Sequence, residues 1–268
     1  MRQFDSRDFW AAGIGEARSA VAAGGLACSV TAARAVFPHG TAHVRLFPRN
    51  FSTATLVKFG LVPYLAAFFT NDGLSTVTNI SRAAQDGSTA TTIDLSGLKT
   101  LGNGGAIYLG CPWMIRGLDI DVQNTNSNAA TLAAHYWKGS WTSLSPTDGT
   151  FLTTATLAQD GLVTWTPPTD ATKEALSSIL GAVPLPFGSE SLYWFRLSVS
   201  AVLDASVTLN SILALPRSTA YAELLSGMAQ EFRTEVALGG HAGVEALTDA
   251  GTANLVVDCW TDSGNAFE

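Results

Sequence analysis

Residues Ile115–Val122 read IRGLDIDV, and the reading of this octet decides the fold class. In an extended chain, successive side chains point to opposite faces. Leu118, Ile120 and Val122 then share one face, and Asp119 and Asp121 share the other. A helix would scatter the same residues around its axis. One apolar and one polar face predict a strand with a single side in a core. Tyr193–Val199 (YWFRLSV) repeats the pattern, with Tyr193, Phe195, Leu197 and Val199 on one face and Trp194, Arg196 and Ser198 on the other.

Outward from these two stretches, short runs rich in β-branched and aromatic residues predict further strands. They fall near Leu26–Thr31, His43–Phe47, Ala54–Phe59, Tyr64–Thr70, Thr91–Leu95, Ala106–Leu109, Thr131–Trp137, Leu162–Thr166, Val207–Leu213 and Asn254–Trp260. Pro38 and Pro48 punctuate the first of these. Asp-Gly pairs at Asp72-Gly73, Asp86-Gly87, Asp148-Gly149 and Asp160-Gly161 supply the positive φ that tight turns require. Gln85-Asp86-Gly87 and Gln159-Asp160-Gly161 repeat a tripeptide, which shared turn chemistry accounts for without a duplicated domain. Many short strands separated by such turns predict an all-β protein, a β-sandwich or jelly roll with N- and C-terminal extension arms.

Three zones follow: an N-terminal arm over 1–50, a β-sandwich core over 51–216, and a C-terminal extension over 217–268. Ser6 is positioned to cap a short helix running towards Ala20, weakened by Gly13 and Gly15. Asp170 is positioned to cap another through Leu176 and Ile179, ended by Gly181. Tyr221, Leu224, Leu225 and Met228 have helical spacing after Ser218, disturbed by Gly227. Thr261–Glu268 reads as a polar tail or a partner strand.

Hydrophobic residues make up 47% of the 268 and charged residues 14%, against about 25% charged in an average domain. So little charge leaves apolar surface beyond a core, and predicts protein contacts and a homo-oligomer. Fifteen basic against 22 acidic residues give −7, with no Lys/Arg run. Nucleic-acid binding needs clustered cations and is not expected. The start, MRQFDSRDFW, carries charges where a signal peptide needs an apolar run. No uninterrupted apolar stretch approaches the roughly 18 residues of a membrane span. Cys28, Cys111 and Cys259 are widely spaced, form no CxxC, and fit free thiols in a reducing cytoplasm, although one disulfide plus a free thiol stays open.

No catalytic, cofactor or metal site is assigned from the residues. There is no GxSxG, and Gly13-Ile-Gly15 lacks the third glycine of a dinucleotide turn, with Arg18 in its place. His39 and His43 flank Gly40 outside a helix, and His135 and His241 have no ligand spacing. Asp119 and Asp121, with Asn124, Asn126 and Asn128 downstream, are the one arrangement that a calcium ion could use, against the plainer reading of two solvated aspartates. Trp137, Trp141, Trp165 and Trp194 are core, subunit-contact or sugar-stacking residues. Of these Trp194, opposite its strand's apolar set, with Trp141 and Arg196, are the candidate contacts for a partner protein or a glycan.

Tyr108–Ile212 carries a recurrent set of turn and core motifs. It opens YLGCPWMIRGLDIDVQNTNSNAATLAAHYWKGSWTSLSPTDGT, and QDGLVTWTPP and LYWFRLSVSAVLDASVTLNSI follow. An apolar Ile-Arg-Gly turn, an Asn/Thr-rich loop, a Tyr-Trp strand, a Gly-x-Trp turn and a TDGT turn succeed one another. This resembles a β-sandwich module of virion structural proteins in tailed bacteriophages. The resemblance implies a particle component, such as a capsid decoration protein, a head-fibre base or a tail-tip part. It implies a virion location after synthesis in the host cytoplasm, no catalytic residues, and partners that are copies of the chain and other virion proteins. The rival expectations are an adhesin for host surface carbohydrate and a hydrolase with carboxylates about 5–9 Å apart.

Overall fold

The structure is a computed structural model that describes residues 17–19, 24–38, 40–86, 88–181, 189–217, 222–234 and 239–260. It is 53% strand and 4% helix, so the all-β expectation holds. In chain order the strands are β1 (Ala17–Ser19), β2 (Leu26–Cys28), β3 (Ala33–Val36), β4 (His43–Ser52) and β5 (Leu56–Pro63). Next come β6 (Ala66–Asn71), β7 (Thr78–Asn79), β8 (Ile93–Asp94), β9 (Gly105–Cys111), β10 (Ile115–Asn124) and β11 (Leu132–Trp137). They continue with β12 (Trp141–Ser143), β13 (Thr147–Asp148), β14 (Gly161–Thr164), β15 (Lys173–Ala175), β16 (Ser191–Val199) and β17 (Thr208–Pro216). Last are β18 (Ala222–Leu225), β19 (Gln230–Arg233), β20 (His241–Thr248) and β21 (Thr252–Trp260).

These strands make two compact units, one from residues 1–62 and 219–268, the other from 63–218. The segments expected as separate arms, 1–50 and 217–268, thus contribute to one unit, and the expected core of 51–216 becomes 63–218. The reason is long-range pairing. β21 lies antiparallel to β4, with Trp260 opposite His43 and Val257 opposite Leu46. In this first unit one sheet has the order β1-β21-β4-β19, with β2 also on β21, and the other has β18-β5-β20-β3. Val44, Leu46, Leu255, Val257 and Cys259 alternate inward along β4 and β21. Pro48 lies inside β4, beyond the Leu46 end of its β19 pairing, where a missing N–H is tolerated. Two register pairs are ion pairs. Arg34 Nε donates to Glu245 Oε2 at 2.8 Å, with the Glu245 side chain fully buried, and Arg45 meets Asp258 at 2.7 Å.

The second unit packs a sheet of order β13-β14-β10-β17-β8 with one of order β12-β11-β16-β9-β6-β7, to which β15 adds at β16. The first alternating stretch behaves as read; in the second, Trp194 and Ser198 on the opposite face are buried as well. Leu118, Ile120 and Val122 are buried while Asp121 is exposed. Phe195, Leu197 and Val199 are buried, and Phe195 stacks on Trp165 at 5.3 Å between ring centroids. Trp165 follows β14, so this stack joins the two sheets. Its indole N–H donates to Ile115 O at 3.2 Å.

The Ile-Arg-Gly stretch, expected as a turn, is a bulge inside β10, and Gly117 makes it possible. A Cβ there would meet Val163 O at 2.4 Å and Thr164 Cα at 2.9 Å. Backbone fills that space, so only glycine lets β14 close on β10 at this bulge. At the far edge, Gln85 acts as a surrogate strand. Its Oε1 accepts from Leu65 N–H at 2.6 Å, and its Nε2 donates to Leu65 O at 2.8 Å and Ser81 O at 2.9 Å. The Ala84 carbonyl accepts from Ile212 N–H on β17 at 2.9 Å, which ties this segment to the other sheet.

Three helix expectations meet different ends. The stretch from Ser6 towards Ala20 lies almost wholly outside the described residues. A short helix does form at Leu176–Leu180 and stops at Gly181, but Ala175, not Asp170, precedes it, because β15 intervenes. Residues 222–233 form β18 and β19 instead of a helix. Glu223 and Leu225 are exposed while Leu224 is buried, so period two overrides the helical spacing, and Gly227 turns the chain at φ +80°. Ser218, Tyr221 and the tail Thr261–Glu268 lie outside the described residues.

Candidate functional site

The β11–β12 hairpin presents a different surface on each side. Register sets the first. Trp137 lies opposite Trp141, His135 opposite Arg196, and Arg196 opposite Tyr108, so all five share one sheet face. The Arg196 guanidinium lies 4.6 Å from the Trp141 ring centroid. Trp137 meets Trp141 edge-on at 5.4 Å, and Tyr108 meets it at 5.8 Å. A cation against an aromatic face is held by the ring quadrupole.

Burial pulls the Arg196 guanidinium below its ordinary range, and the Tyr108 oxygen works against that. Burial pushes the Tyr108 phenol up, with Arg196 opposing. Burial, and then the Arg196 charge, holds the His135 imidazole below its ordinary value. The cluster is a guanidinium wedged among aromatic rings, with an imidazole beside it whose uncharged form burial favours. Arg196 Nε, His135 Nδ1 and Trp137 Nε1 are sealed from solvent and make no hydrogen bond.

The three candidate contact residues thus have different fates. Trp141 and Arg196 are half-buried and touch each other. Trp194 is only 1% exposed, and its N–H donates to Glu174 O at 2.8 Å. Its ring lies 6.1 Å from Phe68 and fills the space beside Gly110, where a Cβ would be 2.6 Å from Trp194 Cη2. Trp194 is a packing residue on a second apolar face, and offers no ring to an outside partner. Two-fold alternation separates the faces of a strand but does not say that both are covered.

On the other side of the hairpin a cleft of about 580 Å³ opens between Tyr136, Ser143, Trp165, Pro167, Pro168 and Asp170. Tyr136 Oη donates to Asp170 Oδ1 at 2.8 Å, and Lys138 Nζ sits 2.9 Å from Asp170 Oδ2. Those two bonds, Lys138 first, keep the Asp170 carboxyl below the usual carboxylate range. Asp170 is thus a positioned, ionised acceptor at the cleft mouth. The sequence signal for it was present but pointed to a helix cap. The cross-strand neighbours that turn it towards Tyr136 are visible only in the fold.

The aspartates and asparagines considered for calcium do not converge. Asp121 accepts from Asn210 Nδ2 at 2.9 Å, and Asn124 Nδ2 donates to Thr208 at 2.7 Å. Asn126 is 2% exposed, donates to Asn128 O and Thr156 O, and accepts from the N–H groups of Asn128 and Asp204. Asn128 Nδ2 donates to Val202 O at 3.2 Å. These amides staple loops together. Among the described residues no group of three or more His, Cys, Asp or Glu side chains is placed to hold a metal ion. His39 lies outside the described residues.

Comparison with known proteins returns no match: no family model, no curated protein and no solved structure matches the chain.

Proposed function

We propose that this chain is a non-enzymatic structural component of a tailed-bacteriophage virion, a capsid decoration or other head-associated protein. It works by contact with copies of itself and with neighbouring particle proteins, and it reaches the virion after synthesis in the host cytoplasm. The motifs of Tyr108–Ile212 support the particle reading. The observation that carries the contact reading is three exposed apolar residues on two segments joined at a sheet edge. Phe151, Leu152 and Leu162 are 38%, 51% and 37% exposed. Leu162 O accepts from Gly149 N–H at 2.8 Å, beside β13, the outermost strand of its sheet.

Single exposed apolar residues are ordinary, whereas neighbouring ones at an edge mark a contact surface. Gln159 Nε2 donates to the Gly149 and Phe151 carbonyls, so this loop is held in shape and loses little freedom on docking. Repetition around a closed assembly then turns a modest contact into durable attachment. The alternative, a tail-tip or fibre-type adhesin for host carbohydrate, loses Trp194 as a contact.

The test is to purify particles, look for the chain on shell or tail, and size the isolated protein by sedimentation. An oligomer or particle-bound chain that Leu152→Glu with Phe151→Ser releases supports the reading. A stable monomer found on no particle overturns it.

A further inference from the structure

We propose that the cleft beside Asp170 is a binding site for a neutral saccharide. The inference is independent of the particle reading, and it moves any glycan contact away from Trp141, Trp194 and Arg196.

Among the described residues three surfaces compete for such a role. The Trp141 face is the first, but its ring already carries the Arg196 guanidinium at 4.6 Å, with Trp137 and Tyr108 against it. A sugar would have to displace that cation to stack there. The second is a groove in the first unit, next to His43, Glu231 and Trp260, of about 240 Å³. Small-ligand sites run from about 300 to 1,000 Å³. The cleft beside Asp170, at about 580 Å³, falls inside that range and has room for a disaccharide-sized ligand.

Its lining matches the two-sided chemistry of a sugar ring. Pro167 and Pro168, both half-buried, supply apolar surface for ring C–H groups, and the buried Trp165 forms the floor beneath them. Thr169 and Asp170, both exposed, supply a hydroxyl and a carboxylate for the ring's polar rim. Asp170 is held from two sides, one oxygen by Tyr136 and the other by Lys138, and its side chain is still 55% exposed. An ionised carboxylate has about four lone-pair sites. Two are used, so each oxygen retains capacity to accept from a ligand hydroxyl. Hydrogen bonds to an ionised acceptor are about twice as strong as neutral ones.

The same carboxylate selects against acidic sugars. Lys138, 2.9 Å away, is already paired with it. A second carboxylate or a sulfate would face the Asp170 charge while Lys138 is engaged by it. The site is also pre-set. Tyr136 is buried in the sandwich, and the two prolines have fixed φ, so binding orders few groups.

The experiment titrates the full chain, by isothermal calorimetry and by saturation-transfer NMR, with methyl hexosides, N-acetylhexosamines and their neutral disaccharides. Uronic acids and sulfated sugars form the acidic arm. The expected result is saturable binding of a neutral sugar that Asp170→Asn weakens about tenfold, the worth of one charged hydrogen bond. Thr169→Trp, which fills the cleft, abolishes it. Trp141→Ala leaves it unchanged. Both cleft positions are exposed, and circular dichroism verifies that each variant is folded. The proposal is overturned if no neutral sugar binds, if only acidic sugars bind, or if binding survives Asp170→Asn and Thr169→Trp. It is equally overturned if binding is lost in Trp141→Ala instead. None of these outcomes bears on whether the chain is found in particles.

Discussion

Replacing Gln85 by leucine tests whether a side chain really completes the edge of the seven-stranded sheet. Gln85 is 1% exposed, and Leu65, its main partner, is fully buried. Leucine has similar volume, so the change removes hydrogen bonds without opening a large cavity. The Leu65 N–H, the Leu65 carbonyl and the Ser81 carbonyl each lose a bond of 2.6–2.9 Å. A buried donor left unpaired costs about 1–3 kcal/mol, and the two carbonyls add to this. Removing the amide from a dry site gives back about 1–2 kcal/mol. The net loss is about 2–4 kcal/mol. For a unit of this size it lowers the melting temperature by roughly 5–15 °C.

Scanning calorimetry on the full chain reads this, and the transition of the 63–218 unit is the one that moves. Gln85→Glu adds a sign. A carboxylate there faces two carbonyl oxygens, so its acid form is favoured and its folded pKa rises above the unfolded value. Its stability is present below the unfolded value, about 4.3, and is lost as pH rises through the folded one. Gln85→Glu is therefore weaker at pH 8 than at pH 5. A melting shift under about 2 °C for Gln85→Leu, or no pH trend for Gln85→Glu, refutes the reasoning.

Gly117→Ala places a methyl group 2.4 Å from Val163 O, and no rotamer relieves it; calorimetry should register a loss of about 2–3 kcal/mol, whereas an unchanged melt would show that β14 yields easily. The three thiols are buried, and burial pushes Cys28 up to about 11 and Cys111 up to about 12. Native protein at pH 8 should leave a thiol-reactive dye unspent until denaturant is added, and prompt labelling of any cysteine contradicts the burial. His135 and His241 are held below their ordinary value, both chiefly by burial. A depressed folded pKa contributes stability above the unfolded value, about 6.5, that is lost as pH falls. The melting temperature should drop from pH 7 to pH 5.5, and His135→Gln with His241→Gln should flatten that slope; an identical slope in the double variant rejects it.

Particular residues show how much of this was legible beforehand. The strands Ile115–Asn124 and Ser191–Val199 were readable because alternation is local: each apolar residue needs only its second neighbour for the pattern to appear. β20 was not, because Gly243 and Glu245 break the apolar run and Glu245 is buried only through its pair with Arg34, 211 residues away. The candidate site divides the same way. Trp141 and Arg196 drew notice as isolated residue types, but their mutual contact depends on β11, β12 and β16 lying side by side. Asp170 was visible only as a helix cap, and its bonds to Tyr136 and Lys138 span more than thirty residues.

What the amino-acid order determined alone is the strand class and most strand positions, since each rests on near neighbours; of the Asp-Gly turns, Gly73 takes the expected positive φ while Gly149 and Gly161 do not. Tertiary structure decided everything that joins distant segments. It made one unit from the two chain ends, covered Trp194 on the face that looked open, and brought Tyr136, Trp165 and Asp170 round one cleft. Strand pairing carries its energy in contacts between residues far apart in the chain, and a period of two says which face points in, never which strand lies alongside.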